Sequence, residues 1–159
     1  MPTGWSTVFS DDQKTCASID GDYQNLGLGN TEKKGTLEVV RLDVALGHTF
    51  PSNKMPDRVS VLVDNGSNLL NLHFGHPVNL DFSETMNCLD GWYVFEQNQS
   101  DQYVGDGTKL DYLLRKIRLA KGRDGSLIIH LLLERQFSSL TVLKSRELTE
   151  SWSRYEVYE

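Results

Sequence analysis

Four imidazoles, two thiols and a surplus of carboxylates are the groups in this chain with chemistry to offer: His48, His73, His76 and His130, Cys16 and Cys88, and 22 Asp and Glu against 16 Lys and Arg. His73-Phe-Gly-His76 is the only close histidine pair. With Asp81 or Glu84 it would give three metal donors, but a tetrahedral site needs three or four that converge. Solvated imidazoles at a strand end are the plainer reading, and no metal or cofactor is expected. His130 lies inside the apolar run Leu127–Leu133 and shares a face with Ile128 and Leu132. It must meet a polar partner inside the protein or project from an outer wall. Gly-x-Ser-x-Gly is absent, and Cys16 and Cys88 carry no Cys-His signature and match no zinc or redox spacing. Those two cysteines allow one disulfide or two buried thiols. Gly27-Leu-Gly29-Asn lacks the Lys and helix of a phosphate loop and reads as a turn. Asp64, Asp90, Asp106 and Asp124 sit in turns that favour Asp for backbone reasons, so no acid–base pair is singled out.

The elements that would position these groups are short strands. Val59, Val61 and Val63 alternate with polar residues before Asp64-Asn65-Gly66, and Leu70, Leu72 and Phe74 alternate after it, which is a hairpin with one buried face. Val78–Phe82, the run from Trp92, Lys116–Lys121 and Leu127–Leu133 repeat the pattern around Asp90-Gly91, Asp106-Gly107 and Asp124-Gly125. The Leu127 run is expected to be central and covered on both faces. Ser139–Lys144 and Ser151–Tyr158 are the last strands, joined through Glu147–Thr149. Leu110, Leu113, Leu114 and Ile117 fall at helical spacing after Thr108, so 108–114 reads as a short helix leading into a strand, against a continuous strand from Lys109 to Lys121. Residues 1–15 form a loose leader, 46–58 a long loop, and 16–159 a single domain. An antiparallel meander of about 8–10 strands must manage its edges, and a closed or half-open barrel does so.

Composition narrows the function classes. The 159 residues suit one domain. They are 38% hydrophobic, and the net charge of −6 gives no electrostatic footprint for nucleic acid. Lys116, Arg118, Lys121 and Arg123 read as a solvated stripe. No apolar run reaches the ~18 residues of a membrane helix, and Met1–Ser6 has neither the charged start nor the apolar stretch of a secretory signal.

The segment Cys16-Ala-Ser-Ile19-Asp-Gly21-Asp-Tyr23-Gln-Asn25-Leu-Gly27 resembles the opening of a group of small uncharacterised bacterial cell-envelope proteins, many of them lipoprotein-like, with a Gly-x-Tyr-x-Asn-x-Gly signature after a Cys. Cys88-Leu-Asp90-Gly91, Asp124-Gly125-Ser126-Leu127 and Trp152-Ser-Arg154-Tyr155 are similar to the rest of the pattern. The resemblance carries no catalytic residues. Asp12-Gln13-Lys14-Thr15 is not a lipobox, so lipidation is not implied at Cys16, and a Cys16–Cys88 bridge becomes the expected use of both thiols. Such a bridge belongs in the periplasm or cell envelope if the chain is a mature fragment; a native start at Met1 would make it cytoplasmic. Gly21-x-Tyr23 on the first strand with Trp152-x-Arg154 on the last is similar to the lipocalin and calycin arrangement, in which an aromatic and a cation close one barrel end.

Together these readings imply a non-enzymatic barrel binding a small apolar or amphipathic ligand inside or at its mouth. Tyr23, His130, Trp152 and Arg154 are its candidate contacts. The competing class is an interaction module with a filled barrel whose strands or loop 46–58 meet a protein, and an enzyme would need further polar groups around His73 and His76.

Overall fold

The computed structural model describes residues 1–7, 15–31, 36–105, 108–139 and 145–159. β1 (Gly21–Gln24) runs into β2 (Leu26–Thr31), followed by β3 (Leu37–Arg41), the single-turn helix α1 (Leu42–Ala45) and a 3₁₀ turn at Ser52–Lys54. β4 (Arg58–Asp64), β5 (Leu69–Phe74), β6 (Leu80–Thr85) and β7 (Asn87–Leu89) are short. β8 (Trp92–Gly105), β9 (Thr108–Lys121), β10 (Leu127–Ser139) and β11 (Ser145–Tyr155) are long. The protein is all-β and every pairing is antiparallel. The strands fall into two sheets, β1-β4-β5-β6 and β3-β2-β11-β10-β9-β8-β7, and among the described residues neither closes on itself.

The division into two sheets follows from two bends. At Asn25 the chain passes from β1 in one sheet to β2 in the other, and at Met86 from β6 to β7. Inward-facing alternation continues through both bends: Tyr23 and Asn25 are buried on one, and Met86 continues the face of half-buried Phe82 and Glu84 on the other. β1 is also bonded on its second side by the tail that follows β11, through Gln24 N–H to Glu156 O (2.9 Å) and Tyr158 N–H to Asp22 O (2.9 Å).

One core fills the space between the sheets, with Val61 and Phe74 from the smaller and Ile117, Leu119, Ile129 and Tyr155 from the larger among its members. Both ends of this space are crossed by chain. Residues 15–20 cross one end: Ile19 is fully buried, the Tyr23 hydroxyl donates to Ile19 O (2.7 Å), and a Cys16–Cys88 disulfide ties the segment to β7. The other end is crossed by α1 and the chain to Phe50. Leu42 and Leu46 are fully buried in the core, and the rings of His48 and Phe50 lie against Phe74.

Several details differ from what the pattern implies. Residues 108–114 continue β9 without a helix, because β8 and β10 bond both edges of that stretch; the helix present is α1. Glu147–Thr149 lies within β11, paired to β10, and is not a connection. Ser139 ends β10, while 140–144 and the Asp106-Gly107 turn lie outside the described residues. Gly27-Leu-Gly29 is strand, not turn: a Cβ on Gly27 would sit 2.2 Å from Arg154 O, so glycine there permits close approach of β2 to β11. β10 is central, but its two-sided cover ends after His130, and Leu132 is 36% exposed. Asp90 and Gly91 have φ of 51° and 83°, the left-handed pair that a two-residue hairpin needs.

Candidate functional site

Period-2 alternation puts the four candidate residues on two different surfaces. Tyr23 faces inward and is fully buried; its hydroxyl also accepts from Lys121 Nζ (2.9 Å). Burial, reinforced by the charge of Asp20, pushes the Tyr23 phenol up to about 12. His130, Trp152 and Arg154 alternate with the core positions of β10 and β11 and lie on the outer face of the larger sheet. Of the two situations open to His130, the outer wall is the one observed.

On that wall His130 and Trp152 are direct cross-strand partners, and their rings stack at 4.1 Å and 22°. Trp152 meets Trp92 edge-on at 5.9 Å, and the Arg118 guanidinium lies 4.6 Å over the Trp92 ring. His130 Nε2 contacts Glu150 Oε1 at 2.5 Å and Nδ1 contacts Arg118 Nη1 at 3.2 Å, so both ring nitrogens have partners. Trp5 packs against the same cluster, held by an Arg123 N–H bond to Ser6 O (3.0 Å) and an Arg123 Nε bond to Thr7 O (3.2 Å). Arg154 instead pairs with Asp124 at 3.0 Å. Truncating Trp152 to Ala should lower stability by about 1–3 kcal/mol through lost aromatic packing, read as a fall in the urea midpoint. An unchanged midpoint would contradict the packing role.

Burial lowers the His130 pKa below its ordinary 6.5, against the opposing pull of Glu150. The folded imidazole therefore holds its proton more weakly than the unfolded one. Stability should fall as pH drops through about 6.5, because the unfolded chain binds more protons there. His130→Gln should flatten that part of the stability–pH curve; an unaltered slope would remove His130 as its source.

The inner face offers a different arrangement. β8 and β9 have 14 residues each and β10 has 13, against 6 in β5 and in β6, so the long strands overhang the smaller sheet. Beyond the α1 crossing, core parity on β9 and β10 reaches Leu113, Arg115, Leu133 and Arg135, all partly exposed. Arg115 Nη1 donates to Val44 O (3.0 Å) and Gln97 Nε2 donates to Leu46 O (3.1 Å) and Glu84 Oε1 (3.1 Å). Burial and then the like charge of Arg135 lower the Arg115 pKa. The result is a shelf beside the α1 crossing, with apolar side chains and two neighbouring guanidiniums, of which Arg135 also pairs with Glu147 (Nη1 to Oε1, 3.8 Å). No family model, curated protein or solved structure matches the chain.

Sequence reading missed this shelf. The signal was present: Arg115 has the parity of Ile117 and Leu119, an unusual place for a cation. The basic stripe divides, with Lys116 and Arg118 outward, Lys121 inward at Tyr23 and Arg123 holding the amino-terminal segment. His73 pairs with Asp81 at 2.6 Å, whereas Glu84 belongs to Gln97 and His48 and His76 is exposed in a turn. Among the described residues no three metal-ligating side chains gather, and no helix is long and apolar enough to cross a membrane.

Proposed function

We propose that the chain is a non-enzymatic, lipocalin-like binding protein that takes an amphipathic ligand with an anionic head at the mouth of an eight-stranded barrel. The circuit is β1–β2, β4, β5, β6–β7, β8, β9, β10 and β11, with each bent pair counted as one strand. Alternation through Asn25 and Met86, and the bonding of β1 to both β4 and the tail after β11, support that closure. The end near Tyr23 is drawn together by those bonds, while the other is filled by α1 through Phe50. Because the interior between the crossings is packed with buried side chains, the ligand belongs on the shelf beside α1.

The observation that carries the reading is the neighbouring pair Arg115 and Arg135 beside Leu113 and Leu133. Guanidiniums bind carboxylate or phosphate by paired hydrogen bonds, and the leucines offer a surface for an alkyl chain. Cys16 and Cys88 in a bridge support an oxidising compartment, such as the cell envelope that the sequence resemblance implies.

Calorimetric titration with dodecanoate and with its neutral alcohol tests this. The acid should bind more tightly, and Arg115→Met should weaken it at least about tenfold while leaving the alcohol unchanged. Equal binding of both probes would overturn the anionic head. Binding of neither would favour the second reading, a filled interaction module, which the packed interior supports.

A further inference from the structure

We propose that the α1 crossing is a lid linked to the ligand, and that an anionic head held by Arg115 keeps it shut. This inference rests on the shelf being the ligand site proposed above, and concerns a separate property, the local opening of residues 42–48.

The crossing is attached in two ways. At its start, the Arg41–Asp43 pair and a bond from Asp43 N–H to Asn25 Oδ1 (2.9 Å) fasten it to the bend between β1 and β2. At its far turn the ties come from the larger sheet, where Arg115 Nη1 donates to Val44 O (3.0 Å) and Gln97 Nε2 to Leu46 O (3.1 Å). Gln97 and Arg115 are direct cross-strand partners on β8 and β9, so one row of side chains grips two carbonyls of the same turn. The turn closes on itself through Leu46 N–H to Leu42 O (3.0 Å), Gly47 N–H to Val44 O (3.0 Å) and His48 N–H to Asp43 O (2.8 Å). A single uncapped helical turn has little stability of its own, so its opening is governed by these ties and by the buried Leu42 and Leu46.

Arg115 makes that opening sensitive to an anion. Closing the crossing takes its guanidinium partly out of water, with Val44 O as its hydrogen-bond acceptor among the described residues and the like charge of Arg135 close by. A cation so placed costs free energy that one carbonyl only partly offsets. A carboxylate offsets more of it, and the pairing is stronger where the crossing excludes water. A guanidinium has five N–H donors, so one can stay on Val44 O while others take the carboxylate, and head and crossing are held together. Once the crossing opens, Arg115 regains water and the pairing weakens toward that of a surface ion pair. The anion therefore binds the closed form more tightly, and by linkage its binding must favour closure. A neutral head on the same alkyl chain has no such preference.

Hydrogen exchange with dodecanoate and with dodecanol, each brought to the same occupancy by calorimetry, reads this coupling. The acid should slow exchange at Leu46, Gly47 and His48 about tenfold relative to the alcohol. Amides of β7, which the disulfide ties to the crossing at the other end, should exchange alike with both probes. In Arg115→Met, loaded to the same occupancies, the difference between acid and alcohol should vanish. Bound dodecanoate that leaves exchange in the crossing unchanged, or quickens it, overturns the lid and leaves the shelf standing as the ligand site. A difference that persists in Arg115→Met overturns Arg115 as the link. Failure of dodecanoate to bind at all counts against the shelf itself, and the lid falls with it.

Discussion

Replacing Arg41 by Met should lower the unfolding free energy by about 3–5 kcal/mol, because it strands a buried carboxylate without its counter-charge. Asp43 is wholly buried, and Arg41 grips it with two bonds, Nε to Oδ1 at 3.0 Å and Nη2 to Oδ2 at 2.5 Å. The same guanidinium donates to Phe50 O (2.7 Å), and Asp43 N–H donates to Asn25 Oδ1 (2.9 Å). These bonds fasten both ends of the α1 crossing and the bend at Asn25. A four-residue helix without a side-chain cap has little stability of its own. Urea midpoints would measure the loss. Asp43→Asn placed in the Arg41→Met background should recover part of it by removing the unpaired charge. A loss under about 1 kcal/mol for Arg41→Met would show that the pair does not hold the crossing.

Strands with one wet face were legible because alternation is read directly: Val59 and Val61, then Leu70, Leu72 and Phe74, are buried as their spacing implies. Asp90-Gly91 was legible because few residues tolerate its backbone. The overhang defeats the same logic. Leu113 and Leu114 point to opposite faces of a sheet that is partly exposed on both, so apolar residues at both parities imitate helical spacing. α1 escaped notice because one turn gives no period to detect. The partners of His130 lie on neighbouring strands, at Arg118 and Glu150, and are known only once register is fixed. The shelf has the same origin, since Arg115 and Arg135 are brought together beside α1 by β9–β10 pairing.

The Cys16→Ser/Cys88→Ser double variant should be less stable by about 2–4 kcal/mol. The bridge spans 72 residues, and closing a loop of that size removes about 4 kcal/mol of unfolded-chain entropy in the simplest account. The loss should be uneven across the fold. β7 has three residues paired only to β8, and residues 15–20 are anchored by the bridge, buried Ile19, a Tyr93 hydroxyl bond to Cys16 O (3.3 Å) and an Asp20 bond to Val63 N–H (2.7 Å). Without the bridge, hydrogen exchange should quicken first in β7 and residues 15–20, while β9 and β10, bonded on both edges, keep protection up to global unfolding. Uniform loss of protection would mean that the bridge acts only on the unfolded chain. Thiol titration of the unfolded, unreduced protein decides the premise: it should find none, and two thiols would remove both the bridge and the oxidising compartment it implies.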